Sequence, residues 1–321
     1  MTQKIKILLI IAIGVIAAVV LYDSLSTRMD RRPANPFEYN VDEFKVVDES
    51  LVSYREARQI QIEEEEPKAI TYHDEKLFLL TAGRLLVLSP AGQELLSQRI
   101  DPNPVRITVS EDGVIVLGYE NYLVTMDAQG NEKYRSEVFG EKSLFTSMAI
   151  LGEDIMVANG GEREVWVFNR ELEKTGSFKG ESGVSALHGF ILPSLHFDMN
   201  VNDEGELWIT NPGLHRIQNY SAGGRLRGHW GETSFGLEGF SGCCNPYFIG
   251  FLSDGRFVTS EKGIIRVKIH KESGELESVV AAPDKFPNGK TAPALAVDSE
   301  DNVWLLDFDK EMLRLFIPIS E

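Results

Sequence analysis

Short aliphatic stretches recur along this chain every forty to fifty residues or so. That recurrence limits the folds open to it more than any other feature. From residue 69 onward each unit reads as an apolar strand, an acidic turn often closed by Gly, and a second strand rich in aliphatic and aromatic residues. A polar loop and a third strand follow, with a further turn. The units are 70–100, 105–139, 144–178, 197–230, 247–281 and 294–319. The turn acids Asp74, Asp112, Asp154, Asp203, Asp254 and Asp301 mark the register, with successive spacings of 38, 42, 49, 51 and 47 residues. Short strands at this period are the signature of a β-propeller. No segment of helical period lies between them, which excludes a parallel α/β fold.

The fold class is therefore all-β, a six-bladed β-propeller. The sixth unit has only three strands before the chain ends. A strand expected at 54–62, with Ile60 and Ile62 in alternation, has no partner of its own. Supplying it to the last unit closes the ring and covers two sheet edges. Residues 54–321 are accordingly read as one propeller closed by an N-terminal strand, with the acidic run 63–66 as an exposed turn.

The N-terminus is different in kind. Lys4 and Lys6 precede an uncharged apolar run, 7–22, of 16 residues, a little short of the ~20 that a membrane helix usually needs. It fits a signal peptide or a short signal anchor. Ser24-Leu25-Ser26 is a poor cleavage site and there is no lipobox cysteine, so the reading is an uncleaved transmembrane anchor over 1–22. Lys4 and Lys6 on one side are matched by Arg28, Arg31 and Arg32 on the other, so the positive-inside rule says little about orientation. Residues 23–53, with Arg31-Arg32-Pro33 and Pro36 and no sustained period, read as a tether. The expected location is a membrane anchor with the domain facing the periplasm or another extracytoplasmic space.

One unit is especially regular: Phe197-Asp198-Met199-Asn200-Val201, an Asp203-Glu204-Gly205 turn, Leu207-Trp208-Ile209, Asn211-Pro212-Gly213, then His215-Arg216-Ile217 and Tyr220. It resembles an NHL repeat, and 295–307 follows the pattern without the Gly. The chain is similar over about 54–321 to bacterial NHL-repeat six-bladed propeller proteins. Within them it resembles an exported subset carrying Gly242-Cys243-Cys244-Asn245-Pro246, Tyr54-Arg55-Glu56 before Glu66-Pro67-Lys68, and Asp254-Gly255-Arg256 through Lys262-Gly263. The second strands of the first three units lack the Trp and the Asn-x-Gly loop of the repeat. The resemblance implies the fold. It also implies a precedent for metal held by histidine, since propeller lyases related to this fold use it.

The only two cysteines, Cys243 and Cys244, are adjacent. A disulfide between them is strained, because bridged Cα atoms usually lie about 4.4–6.8 Å apart and consecutive ones about 3.8 Å. An oxidising compartment and the lack of another intramolecular partner nevertheless favour that ring. A thiolate metal site, a ligand-contacting turn and a stiffened loop are the other readings. In a four-stranded blade, blade-to-blade loops share a face with the loops between second and third strands. The two longest, 179–196 and 231–246, therefore rise together over that face. It is expected to carry Cys243, Cys244, Asn245, His215, Glu261 and Lys262, with His188 and His196 as candidate metal ligands and His229 nearby. Glu261-Lys262 reads as an acid/base pair or as a solvated turn pair. His215 also fits the repeat pattern, where it packs the blade. Ser194, Ser241 and Ser260 have no triad context, and no nucleophile elbow, P-loop or dinucleotide fingerprint is present.

Two function classes follow. The first is a non-catalytic membrane-tethered propeller that binds a protein or a small molecule on its long-loop face. The second is an enzyme, either a metal-dependent hydrolase or lyase or a redox protein using the cysteine pair. Nucleic acid is an unsuitable partner, since 49 acidic against 32 basic residues give a net charge of −17 and no basic stripe offsets it. No cofactor is named by any motif.

Overall fold

The computed structural model describes residues 3–26, 40–62, 66–180 and 189–319. Residues 1–41 and 42–321 form two compact units. The first contains the helix Gln3–Ser26, whose stretch Gln3–Asp23, 21 residues, has the length and apolar character to cross a membrane. At about 1.5 Å per residue it extends about 32 Å, enough for a hydrocarbon layer ~30 Å thick. The apolar run alone is short for a span; the helix lengthens it at both ends, because Lys4, Lys6 and Asp23 do not break helical backbone. A signal sequence meets the same description.

The stretch read as a tether is divided differently by the structure. Residues 23–26 belong to the helix, 27–39 lie outside the described residues, and 42–53 belong to the propeller unit. Two short 3-10 turns, Val41–Lys45 and Glu49–Leu51, occupy that last part, the second capped by Asp48 accepting from the Ser50 amide at 2.9 Å. Phe44 stacks on Phe235 at 5.4 Å. The Ser53 amide donates to Val279 O at 3.1 Å, and the Ser53 and Ser278 hydroxyls meet at 2.7 Å. These partners are far away in the chain, so no local period announces them.

Among the described residues the propeller unit has six sheets of four antiparallel strands. Blades one to five span 67–99, 106–135, 145–178, 199–230 and 248–281. Blade six is built from Ala294–Val297, Val303–Asp307 and Met312–Pro318, and Tyr54–Gln61 is its outermost strand. That strand pairs from Tyr54↔Pro318 to Gln61↔Met312 with a bulge between Glu56 and Arg58. It is fastened by a two-pronged ion pair: Arg314 donates to both oxygens of Glu56 at 2.8 and 2.9 Å. Arg314 also reaches Asp307 and Lys285 O, each at 3.0 Å.

Local chemistry explains the hairpins. At many of the turns a Ser, Asp or Asn side chain accepts from the amide four residues on, as in Asn202 to Glu206 N at 2.8 Å and Asp298 to Asn302 N at 2.9 Å. The residue after the tight turn takes a left-handed conformation, Gly205 at φ 73°, which glycine adopts without cost. Leu172 and Asp301 hold the same position without glycine, at φ 65° and 60°. The turn acids found in the sequence lie at these first hairpins, except that Asp154 opens the second strand itself.

Each space between neighbouring blades holds one apolar cluster. The space between blades four and five has the smallest of them, Ile217, Trp230, Phe240, Ile249 and Phe257. The buried side chains of Glu261, Arg266 and Lys268 lie in the same space.

Candidate functional site

The first strands of all six blades surround a central channel, with Lys68, Arg106, Ser147, Asp198, Phe248 and Ala294 each lining it from a different blade. Arg106 opens the first strand of blade two. His196 and Asp198 precede that of blade four, and Tyr247 that of blade five. All four therefore lie at the end of the channel where the blade-to-blade loops enter. Gly160 makes room there: a Cβ on it would collide with Leu195 O, the carbonyl just before His196.

At this mouth the groups form a row. The Arg106 guanidinium donates to Thr146 O, to Val105 O at 2.6 Å and to His196 Nδ1 at 3.4 Å. His196 Nε2 donates to Tyr247 O at 3.0 Å, and the two rings stack at 3.9 Å. Lys262 Nζ lies 5.2 Å from the Tyr247 ring centroid on the far side of the row. A neutral imidazole protonated on Nε2 satisfies both His196 contacts. Burial, reinforced by the Arg106 charge, pushes its pKa down to about 3, so it is neutral at physiological pH. Burial pushes Asp198 up to about 6, although Ser147 Oγ and Ile249 N donate to its carboxyl at 2.6 and 2.9 Å. Burial likewise raises Tyr247. Among the described residues neither Arg106 nor Lys262 makes an ion pair, so two cations converge on the mouth of an acidic molecule.

The cysteine loop lies beside this row. Asn245 is buried and fastens it: its Nδ2 donates to Ser241 O at 2.7 Å and Lys262 O at 2.9 Å, and its Oδ1 accepts from Lys262 N at 2.9 Å. His215, in a left-handed conformation, clamps the same loop. Its Nδ1 accepts from Thr233 Oγ1 at 2.6 Å and its Nε2 donates to Gly242 O. The Asn245–Pro246 peptide is cis. Cys243 and Cys244 are both free thiols here, with Sγ atoms 3.2 Å apart, Cys243 exposed and Cys244 buried. The expected ring is not closed in this structure. The Cys244 thiol beside it pushes the Cys243 pKa upward.

Glu261 and Lys262 do not act as a pair. Glu261 is fully buried between blades four and five, where it meets Arg266 Nε at 2.7 Å and Lys268 Nζ at 2.9 Å, both also fully buried. Arg266 donates onward to Phe235 O and Gly236 O at 3.1 and 2.7 Å, and Lys268 to Leu237 O and Gly239 O at 2.8 and 2.7 Å. Burial lowers Lys268 to about 8 and His270, two residues on, to about 3. Glu261 is thus the anchor of the long loop. Lys262, the next residue, faces the channel mouth.

His188 lies outside the described residues. His229 is exposed on the outer strand of blade four, where partial burial and Arg216 lower its pKa. Among the described residues no cluster of three or more His, Cys, Asp or Glu side chains could hold a metal ion, and His196 already spends both ring nitrogens on protein partners. Sequence reasoning missed Arg106, Asp198 and Tyr247. Each sits at or just before a first strand, so its place relative to the repeat was the available signal.

No protein-family model matches the sequence, and no curated protein does. Solved structures match it by fold. Virginiamycin B lyase from Staphylococcus aureus aligns at 11% identity over 83% of this chain and 100% of that one, with a TM-score of 0.59. A streptogramin B lyase aligns at 13% identity over 85% and 100%, with a TM-score of 0.55. A protein of unknown function from Bacteroides thetaiotaomicron aligns at 11% identity over 81% and 72%, with a TM-score of 0.58. At such identities the likeness is one of fold.

Proposed function

We propose that this protein is a membrane-tethered, extracytoplasmic propeller of NHL type that binds a small anionic ligand, a carboxylate or a phosphate, at the mouth of its central channel without transforming it. The observation that carries this reading is the row Arg106–His196–Tyr247–Lys262, in which two cations with no carboxylate in ion-pair contact flank a neutral imidazole and a phenol, the Asp198 carboxyl acting on Arg106 only through its charge. Charge-assisted hydrogen bonds to such anions are strong, and a low-dielectric channel strengthens them. The apolar N-terminal helix supports the tether.

Calorimetric titration of the full chain in detergent with citrate and with inorganic phosphate tests the reading. Binding that weakens about tenfold or more in Lys262→Met and in Arg106→Met, as expected for lost charge-assisted hydrogen bonds, supports it. A folded wild type that binds neither probe, or equal affinity in both variants, overturns it.

The channel carboxyl favours a second reading, acid–base catalysis of the kind a lyase needs. Asp198, held near pKa 6, sits where a general acid or base works at neutral pH. Two of the fold neighbours are named lyases. Ligand turnover lost in Asp198→Ala, with binding retained, would favour it.

A further inference from the structure

The row at the channel mouth makes no use of the two thiols beside it. We propose that Cys243 and Cys244 form a thiol–disulfide exchange site, Cys243 being the thiol that attacks first and Cys244 the one that resolves the mixed disulfide, with a low-molecular-weight disulfide as oxidant. The inference does not depend on ligand binding at the channel.

Three observations carry it. The Sγ atoms face each other at 3.2 Å, so little movement separates two thiols from a bond of about 2.05 Å. Access is asymmetric: Cys243 is exposed, whereas Cys244 is 5% exposed. The loop on both sides is held, by the three hydrogen bonds of Asn245 and by the clamp of His215 on Thr233 and Gly242. The thiols therefore stay together while a reagent reaches only one of them. No other cysteine exists in the chain to compete for either.

The Cys243 thiolate attacks one sulfur of the disulfide, forming a mixed disulfide and releasing one thiolate, which takes up a proton. Cys244, its proton lost to solvent, attacks Cys243 Sγ and expels the second thiolate, which is protonated in turn. Two electrons and two protons pass from the pair to the oxidant, whose sulfur–sulfur bond is reduced, and one bond forms between the two Sγ atoms. Consecutive Cα atoms stand closer than a relaxed disulfide prefers, so the ring is strained and easily reopened by a dithiol. An exchange site needs that lability, which a structural crosslink would lack.

The full chain in detergent, reduced and desalted, is incubated with glutathione disulfide, quenched with iodoacetamide and weighed intact. The wild type is expected to end lighter by two hydrogens, with neither alkyl group nor glutathione. Cys244→Ser is expected to keep one glutathione on Cys243. Cys243→Ser is expected to form its adduct on the order of tenfold more slowly, as the remaining thiol is buried. Serine replaces sulfur at near-constant shape, and circular dichroism verifies the fold of each variant. A wild type that retains glutathione with its second cysteine alkylated overturns the proposal. So does a Cys244→Ser variant that does not react, or equal rates in the two variants.

Discussion

Two imidazoles, His196 at the channel mouth and His270 between blades four and five, are held neutral by burial, with pKa values pushed to about 3. In the unfolded chain they titrate near 6.5. Their folded values are depressed, so the unfolded state binds more protons below that pH, and stability falls as pH falls from about 6.5. Between pH 7 and 5 each contributes a loss of about 2 kcal/mol. Asp198 acts in the opposite sense: its folded pKa is raised to about 6, so protonation on acidification favours the fold by about 1 kcal/mol over the same range. Urea denaturation of the full chain in detergent is expected to show a net loss of roughly 2–3 kcal/mol from pH 7 to pH 5. His270→Gln should flatten the slope by about its single share. A profile that is flat or rises on acidification would contradict the buried neutral state of both rings.

The loop 231–246 is an element without regular structure that is nonetheless tightly held, because the third strand of blade five, Arg266–His270, supplies buried cations. Four of its backbone carbonyls, Phe235, Gly236, Leu237 and Gly239, accept from Arg266 and Lys268, and Glu261 balances one of those two charges. Removing the anion leaves two desolvated cations facing each other, which costs about 3–5 kcal/mol for a buried pair broken on one side. Glu261→Gln is therefore expected to destabilise the protein by roughly 3 kcal/mol or more. Lys268→Met should cost less, about 1–2 kcal/mol, since the Glu261–Arg266 pair survives. Chemical denaturation of the two variants checks the order, and limited proteolysis should find the loop cut first in Glu261→Gln. The reverse order of stabilities would show that the loop is held by something other than this triad.

The ring as a whole depends on a strand from the other end of the chain. Removing Tyr54–Gln61 leaves Met312–Pro318 as a bare edge and strands Arg314 without Glu56. Deleting residues 1–41 takes away only the first compact unit, so the product should melt close to the full chain. Deleting 1–62 should lower the melting temperature sharply or yield aggregate. Scanning calorimetry of the two truncations decides this, and equal melting would show that the ring does not need the strand. The placement proposed for the molecule has its own test. Protease added to spheroplasts is expected to digest the propeller, and full protection would place it on the inner side.

Much of this architecture is set by short-range chemistry, and so the sequence by itself determined it. Blade number follows from the period, and the hairpins follow from Ser, Asp and Asn side chains capping turns with a left-handed residue such as Gly205 behind them. The lone strand at 54–62 and the incomplete sixth unit pointed to the same closure. The cysteine pair and Asn245 were legible because they are contiguous. Tertiary structure alone decided who meets at the mouth: Arg106 and His196 are 90 positions apart, and His196 and Tyr247 are 51. It also separated Glu261 from Lys262, adjacent in sequence. The strand Phe257–Glu261 sends its last side chain into the space between blades, and the turn that follows turns Lys262 towards the axis. Ring closure brings distant strand starts to one point, while the pleat and the turn part neighbours, and neither effect leaves a local mark in the order of residues.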